Sequence, residues 1–198
     1  MAVEVRDYVP GDEQGWLRCR VLSFLATPYF DDVMPVKKSP AVGAELVAVD
    51  AGIVVGVLDM SVEGTLATID TIGVHPDHQG HGIGTRLFER ACIRAAALGA
   101  TTIDAWTRDF EPTLRWYSSR GFAESSHFLH VYADYYARQG EPADAVQSRP
   151  GLTPLKVFLE ATIDHEAEMR RKFSRVYVCR RFARPLDDQA PGVPPCSS

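Results

Sequence analysis

Apolar residues recur at every second position in several short segments, which is the spacing typical of β-strands. Three of these segments are joined by the turn sequences Asp50-Ala51-Gly52 and Glu63-Gly64, so they predict an antiparallel meander. The predicted strands cover residues 3–7, 44–49, 53–60, 66–74, 102–107, 127–135 and 175–182.

Other apolar residues follow the spacing of one helix face. Ile83, Leu87, Ala91, Ala95 and Leu98 share one face of a predicted helix, and Gly99 is placed to end it. An earlier helix, which Asp12 can cap, carries Trp16, Leu17, Val21, Phe24 and Leu25. A short helix is predicted at residues 112–119, ending at Gly121. The last helix is predicted from about Pro154, with Thr153 as its cap and Leu155, Phe158, Leu159, Ile163 and Met169 as its apolar side.

The order of these elements predicts an α/β protein with a mixed, mostly antiparallel sheet. Because residues 102–107 follow a crossover helix, they should lie parallel to the strand that ends at Val74. We interpret residues 1–184 as a single domain with an inserted segment at about 138–173, and residues 185–198 as a flexible tail. Ordered packing is the expected role of the insertion, with a lid or a dimer contact as alternatives.

The chain has 198 residues, 45% of them hydrophobic and 24% charged, as in an ordinary soluble globular protein. A net charge of −5 argues against general binding to nucleic acid or acidic membranes. No apolar run could span a bilayer and the start of the chain has no signal sequence, so a cytoplasmic protein is expected. The four cysteines, Cys19, Cys92, Cys179 and Cys196, are widely spaced and read as ordinary thiols.

Three glycines, Gly80, Gly82 and Gly84, lie within five residues where the strand ending at Val74 gives way to the helix from Ile83. Backbone N–H groups converge at such a junction, and the helix dipole favours negative charge there. The segment therefore predicts a bound ligand that carries phosphate. A glycine-rich turn in some unrelated α/β protein is the alternative.

Two motifs, together with the order of elements, resemble the GNAT (GCN5-related) N-acetyltransferase superfamily. Its acyl-CoA signature, Gln/Arg-x-x-Gly-x-Gly/Ala, is matched by the six residues from Gln79 to Gly84. A second signature, an aromatic-Tyr pair before Gly-Phe, is matched by Trp116-Tyr117 followed by Gly121-Phe122. The resemblance implies the GNAT acyl-CoA-binding fold, in which the parallel strand pair splays apart. It covers roughly residues 3–122.

The resemblance implies that acetyl-CoA is the co-substrate and that the backbone from Gln79 to Gly84 holds its pyrophosphate, with Thr85 adding a hydroxyl. The pantetheine arm would then run beside the strand ending at Val74 and bond to its backbone. The cofactor-binding residues expected on this basis are Ile72, Gly73, Val74, Gln79, Gly80, His81, Gly82, Ile83, Gly84, Thr85, Trp116 and Tyr117.

In the same way, Tyr117 occupies the position of the family's usual proton donor to the leaving thiolate, with core packing as the alternative. Asp70 is the candidate general base, because many family members carry a carboxylate there; a solvated or ion-paired Asp70 is the alternative. His75, His78 and His81 are interpreted as loop residues rather than metal ligands, so no metal is expected.

The acceptor is expected to be an amine of a small molecule or peptide. The segment after the first helix could line its entrance, and the candidate residues there are Phe24, Tyr29, Phe30, Asp31 and Met34. Asp31-Asp32 and the aromatic residues 128–136 weakly suggest a cationic or aromatic amine. Phe110 and Thr113 depart from the Asn and Ala that the family often has there.

The leading hypothesis is an acetyl-CoA-dependent N-acetyltransferase, a monomer or homodimer that binds neither nucleic acid nor membrane. One alternative is a GNAT-fold module that senses acyl-CoA or serves as an interaction domain. Another keeps the fold but uses a different acyl donor or a different thioester chemistry.

Overall fold

The computed structural model describes residues 3–147 and 149–186, and the predicted tail lies outside them from residue 187 onward. The described strands are β1 (Glu4–Asp7), β2 (Gly43–Asp50), β3 (Ile53–Glu63), β4 (Leu66–Val74), β5 (Thr102–Arg108), β6 (Ala123–Asp134), β7 (Lys156–Ala161) and β8 (Arg175–Pro185). The described helices are α1 (Glu13–Phe24), α2 (Ile83–Ala97), α3 (Glu111–Ser118), α4 (Glu141–Ala145) and α5 (Glu166–Lys172). Each predicted strand is confirmed, within a few residues at its ends.

The strand order in the sheet is β1-β2-β3-β4-β5-β8-β6-β7, and the pairing is antiparallel except between β4 and β5. The predicted α/β class, the meander and the parallel pair are therefore confirmed. The described residues fall into two compact units, which are treated separately below. The first comprises those within 1–23, 32–104 and 184–198, and the second those within 24–31 and 105–183.

In the first unit, helices cover both faces of the meander. Trp16 and Cys19 of α1 pack with Val47 and Val57, which are register partners on β2 and β3. Gly56 is next to Val57 on β3 and therefore points to the other face, where α2 lies. A Cβ on Gly56 would come within 2.9 Å of Ile83 and 3.0 Å of Leu87 on α2, so glycine permits the close approach of this helix.

The β2–β3 hairpin turns at two residues with positive φ, Ala51 (48°) and Gly52 (83°), as the predicted turn requires. Gly99 and Gly121 also have positive φ after α2 and α3, in agreement with their predicted role as helix ends. Asp12 does not act as predicted. It lies in a short 3₁₀ turn before α1, where its carboxylate accepts bonds from Arg6 and from the Val9 N–H.

In the second unit, β6 pairs with β7 on one side and with β8 on the other, both antiparallel. Leu129, Val131 and Ala133 of β6 form the centre of a core that also contains residues of α5 and β8. The carboxylate of Glu141 on α4 is fully buried and accepts hydrogen bonds from the main-chain N–H of Asp134 and of Ser174. These contacts agree with ordered packing for the described residues of the 138–173 segment, whose role stays a prediction.

The helix predicted from Pro154 is wrong. Residues 156–161 form β7, and the chain becomes helical only at a 3₁₀ turn, Ile163–His165, and α5. Val157, Leu159 and Ala161 face the core, whereas Phe158 is 53% exposed, so the segment follows a two-residue period. The error has a simple origin, because Leu155, Leu159 and Ile163 are spaced by four residues, which satisfies both periods.

Candidate active site

The loop between β4 and α2 holds a strained backbone that only glycine adopts at low cost. Gly80 has φ 78° and Gly82 has φ 75°, and a Cβ on either would meet no other atom of the protein within 4 Å. The positive φ at these two positions, rather than crowding by the protein, therefore accounts for the glycines. The amide of Gln79 donates to the Val74 carbonyl oxygen over 3.1 Å and ties the loop back to β4.

Gly82 is also the residue that caps α2, and it has no side chain with which to bond the first N–H groups of the helix. Its carbonyl accepts the Arg86 N–H, which begins the helical hydrogen-bond pattern. Ile83 is buried with its side chain in the core, so the backbone N–H is the group it can offer to a ligand. This end of α2 has the chemistry of an anion site, with backbone donors and a positive dipole end.

The strand segment expected beside the pantetheine arm is half-buried at the end of β4. Ile72, Gly73 and Val74 are the register partners of Leu58, Val57 and Gly56 on β3. The next residue, His75, donates its N–H to the Val55 carbonyl oxygen. The β3 side of this segment is therefore already paired, and a ligand arm would have to use its other side.

A cavity of about 500 Å³ opens in the first unit beside β3 and β4. Its lining is Trp16, Arg20, Asp32, Met34, Lys38, Ser39, Pro40, Asp59, Ser61, Asp70 and Thr71. Its volume is typical of sites for small molecules. Two of the candidates from the sequence, Asp70 and Met34, are among these residues.

Asp70 lies on the cavity wall with its side chain exposed and accepts a hydrogen bond from the Ser61 hydroxyl at 3.1 Å. The pKa of its carboxyl is raised, first by desolvation and then by the nearby charges of Asp104 and Glu63. A raised carboxyl pKa is suited to accepting a proton, so these surroundings agree with the predicted role as a base.

Asp59 is a second carboxylate of the cavity, and the sequence reasoning missed it. Its side chain is only 6% exposed and lies 3.3 Å from the buried ammonium of Lys37, which also bonds to Glu45. Burial raises the pKa of Asp59 to about 6, although the charge of Lys37 opposes this shift. An aspartate within the apolar run of β3 was the signal that could have identified it, because burial of an ionised group is costly.

Four of the predicted substrate residues belong to the second unit, where each has a partner. The rings of Phe24 and Tyr29 lie 5.6 Å apart, and the Tyr29 hydroxyl accepts the main-chain N–H of Arg108 at 2.9 Å. Arg175 lies 4.5 Å from the ring of Phe30 and bonds to the carboxylate of Asp31. The arginine holds the pKa of Asp31 below its usual value. Their contact with a substrate stays a prediction.

Arg108 is buried in an aromatic cluster of the second unit. Its guanidinium lies 4.1 Å from the Tyr29 ring and 5.1 Å from the Tyr132 ring, and its Nε donates to His130 Nδ1 over 3.3 Å. Burial and the arginine charge together lower the pKa of His130 to about 4. His130 is therefore neutral near pH 7 and accepts a hydrogen bond from the arginine.

Tyr117 is buried, at 3% exposure, among three aromatic rings. It stacks on Phe182 at 5.7 Å and meets Phe122 and Trp116 edge to face, at 5.2 and 5.1 Å. Trp116 in turn lies under the guanidinium of Arg120, 3.9 Å away. These contacts agree with the alternative of core packing, and the predicted role as proton donor stays a prediction.

The loop histidines interact with the loop itself. His75 Nδ1 accepts the Asp77 N–H at 3.2 Å, and His81 Nδ1 lies 3.3 Å from the His78 carbonyl oxygen. In the part of the chain that the structure describes, no group of three or more His, Cys, Asp or Glu residues could hold a metal ion. Within the same residues, no helix is both long and apolar enough to cross a bilayer.

The buried cysteines behave as ordinary thiols. Burial raises the pKa of Cys19 and of Cys179 to about 11, which makes both poor nucleophiles. Cys92 is partly buried, and Cys196 lies outside the described residues.

Residues 43–124 match the sequence model of the acetyltransferase (GNAT) domain. This part of the chain is a GNAT acetyltransferase domain. It contains the glycine loop, both motifs of the resemblance and the parallel strand pair, so the family predicted from those motifs is confirmed.

Solved structures agree with the GNAT fold. The ribosomal-protein-S18-alanine N-acetyltransferase of Escherichia coli is 15% identical, with a TM-score of 0.58, over 94% of this chain and 95% of that one. The PaiA N-acetyltransferase of Thermoplasma acidophilum, solved with coenzyme A, is 12% identical over 63% and 92% of the two chains, with a TM-score of 0.54.

A third similar structure is the N-acetylglutamate synthase of Neisseria gonorrhoeae, complexed with coenzyme A and N-acetyl-glutamate. It is 15% identical, with a TM-score of 0.55, over 94% of this chain and 36% of that one. A search of curated protein sequences gave no significant match. At these identities the likeness supports the fold, and the substrate has to be argued from this chain's own residues.

Proposed function

We propose that this GNAT domain transfers an acetyl group from acetyl-CoA to an amine. The observation that carries the proposal is the junction of β4 and α2, where two glycines with positive φ lead into a helix whose cap has no side chain. Such a junction suits the pyrophosphate of a CoA thioester. The complexes of two similar proteins with coenzyme A support the same ligand class.

The residues proposed to bind acetyl-CoA are those of the glycine loop and the end of β4. The backbone from Gln79 to Gly84 would bond the pyrophosphate, and the edge of β4 at Ile72 and Val74 that faces away from β3 would bond the amides of the pantetheine arm. His81 and Thr85 would contribute side chains on either side of Gly82. Trp116 is proposed to contact the cofactor as well.

In the proposed reaction, the amine nitrogen attacks the thioester carbonyl carbon, and the C–S bond breaks as the thiolate leaves. Because the amine must be neutral to attack, a base is required, and Asp70 is placed on the cavity wall with a raised pKa. Tyr117 is proposed to protonate the thiolate. The cytoplasmic location and the monomeric or homodimeric state remain predictions.

The experiment that tests this function measures two things separately. Calorimetry with acetyl-CoA tests binding, and a thiol-release assay against alkyl amines, amino acids, polyamines, aminoglycosides and peptides tests transfer. We expect micromolar binding and amine-dependent release of CoA. Binding without release for any amine would favour the acyl-CoA sensor, and the absence of binding would overturn the proposal.

A further inference from the structure

The cavity of the first unit contains three carboxylates, and one of them is neutralised within the cavity. Arg20, which is buried, donates to the main-chain oxygen of Asp32 at 2.6 Å and to its carboxylate at 2.9 Å. This ion pair removes Asp32 from the charges available to a ligand. The other two carboxylates, Asp59 and Asp70, lie on the adjacent strands β3 and β4, and in the described part of the chain Asp59 is paired with Lys37 through one of its oxygens only.

Asp59 has an oxygen with unused capacity for a hydrogen bond. The residue is 5% exposed, and within the described residues its Oδ1 atom has no hydrogen-bond partner. The Lys37 ammonium lies 3.3 Å from the other oxygen and is shared with Glu45. A buried acceptor without a donor costs about 1–3 kcal/mol, more when it is charged. This oxygen is itself buried, but its residue lines the cavity, so a small rotation of the carboxylate would bring it to a ligand that donates hydrogen bonds and would remove the cost.

Asp70 supplies the second acceptor. Its carboxylate accepts hydrogen bonds from the hydroxyl and from the main-chain N–H of Ser61, and Ser61 lines the same cavity. A protonated primary amine carries three N–H donors and one positive charge, so it can bond to both carboxylates at once. Among the described residues, no group of three or more His, Cys, Asp or Glu side chains is arranged to hold a metal ion instead.

The other lining residues indicate the size and polarity of the rest of the ligand. Trp16, Met34 and Pro40 offer an apolar surface in the same lining, which also includes the cation Lys38. The volume of about 500 Å³ accommodates a small molecule rather than a folded partner. On β4, Asp70 and Thr71 immediately precede Ile72, the first residue proposed to bind the pantetheine arm. A strand advances about 3.3 Å per residue, so the cavity wall and that segment are neighbours on the same strand.

We infer that this cavity binds the acceptor as an ammonium ion between Asp59 and Asp70, and that the acceptor is a small primary amine with an apolar body. The inference rests on the proposed acetyl transfer. It assigns to Asp59 a role as a second acceptor of the amine proton, beside Asp70.

The proton balance of the step can be written completely. The ammonium gives one proton to the Asp59 carboxylate and becomes a neutral amine. The nitrogen lone pair then forms the C–N bond at the thioester carbonyl carbon, and the electrons of the C–S bond leave with sulfur. A second N–H proton replaces the one that the proposed donor Tyr117 gives to the thiolate, and the third stays on the amide nitrogen. The elevated pKa of Asp59, about 6, makes its carboxylate a better proton acceptor than an ordinary aspartate.

The test measures amine binding without acetyl-CoA, so that it is independent of transfer. n-Pentylamine, and pentan-1-ol as its neutral analogue, are titrated into the ¹⁵N-labelled protein at about pH 7.5, where the amine is protonated and the pH is above the pKa of Asp59. We expect pentylamine to shift the amide signals of Ser61, Asp70 and Thr71, and pentanol to bind at least about tenfold more weakly, because it cannot form charge-assisted bonds.

The variants Asp59→Asn and Asp70→Asn should each weaken pentylamine binding by roughly tenfold or more. Asp164→Asn, an exposed position in the second unit with the same change of charge, is the matched control and should bind as the wild type does. Asp70 is exposed, so its variant keeps the test valid if Asp59→Asn fails to fold. Equal binding of pentylamine and pentanol, or unchanged affinity in the Asp70 variant, would overturn the inference.

Calorimetry with acetyl-CoA on the same samples separates this inference from the proposed function. Pentylamine binding in a protein that does not bind acetyl-CoA would support the ammonium site and reject acetyl transfer. Conversely, amine-dependent release of CoA that is unchanged in the Asp59 and Asp70 variants would support transfer and reject the ammonium site.

Discussion

Thr68 of β4 donates its hydroxyl proton to the carboxylate of Asp104 on β5, with the two oxygens 2.7 Å apart. Asp104 is 2% exposed, so this bond satisfies a charged group that has left water. The bond links the two parallel strands within the first unit, two residues before Asp70 in β4. It therefore helps to fix the strand that forms the cavity wall.

Replacement of Thr68 by valine should destabilise the protein by about 1–3 kcal/mol, because the shape is kept and a hydrogen bond to a buried carboxylate is lost. Urea unfolding followed by circular dichroism measures the change. Thr102→Val is the matched control, since it makes the same substitution on β5 at a half-buried site, and it should stay within about 0.5 kcal/mol of wild type. Equal effects of the two substitutions would show that the bond to Asp104 does not contribute.

Gly82→Asp should abolish acetyl-CoA binding, because its carboxylate would meet the negative pyrophosphate at the start of α2. Gly82→Asn has nearly the same shape and backbone strain without the charge, so it should retain much more affinity. Calorimetry with acetyl-CoA measures both variants. Gly64→Asp is a further control, because Gly64 also has positive φ (58°) and open surroundings, in the β3–β4 turn. Identical losses in the Asp and Asn variants at position 82 would show strain, not charge, to be the cause.

Much of the first unit could be predicted from the sequence because its signals are local. The turns at Ala51-Gly52 and Gly64, and Gly99 at the end of α2, all require positive φ. Glycine at such places predicts the boundary of an element without knowledge of the rest of the fold. The glycine loop before α2 was predictable for the same reason, and its role as an anion site stays a prediction.

The parts that could not be predicted depend on contacts between distant residues. β7 was mistaken for a helix because its apolar positions fit both periods, and pairing with β6 decided between them. Asp59 was missed as a site residue because its importance arises from Lys37 and from the cavity that the loop after α1 helps to form. Asp31 was expected to face a substrate, but its pairing with Arg175 could not be read from the sequence.

Tyr117→Phe should lower kcat of acetyl transfer with little change in the KM for acetyl-CoA, if Tyr117 protonates the leaving thiolate. The ring contacts with Phe182 and Phe122 are retained in the variant, so its thermal stability should be close to that of wild type. Steady-state kinetics with a fixed amine measures the effect. Tyr136→Phe, at a residue 75% exposed, is the control. Wild-type kcat in the Tyr117 variant would leave core packing as the role of this residue.

The stability of the protein should depend on pH through Asp59. Its pKa is about 6 in the folded protein, against about 3.9 in an unfolded chain, so the folded state binds this proton more tightly. The stability that protonation of Asp59 provides is therefore fully present below about pH 4 and is lost as the pH rises through about 6. The charged groups that act on Asp59 are Lys37, Glu45 and Asp70.

Relative to Asp59→Asn, which does not titrate, the wild type should lose about 1 kcal/mol of unfolding free energy between about pH 5 and pH 7. Urea unfolding of both proteins at a series of pH values measures this difference and cancels the titration of groups that the two share. Lys37 and Glu45 are present in both proteins, so to first order their ion pair contributes equally to both unfolding free energies and cancels in the difference. A difference that stays constant, or that grows in favour of the wild type as the pH rises, would mean that the pKa of Asp59 is not raised by burial.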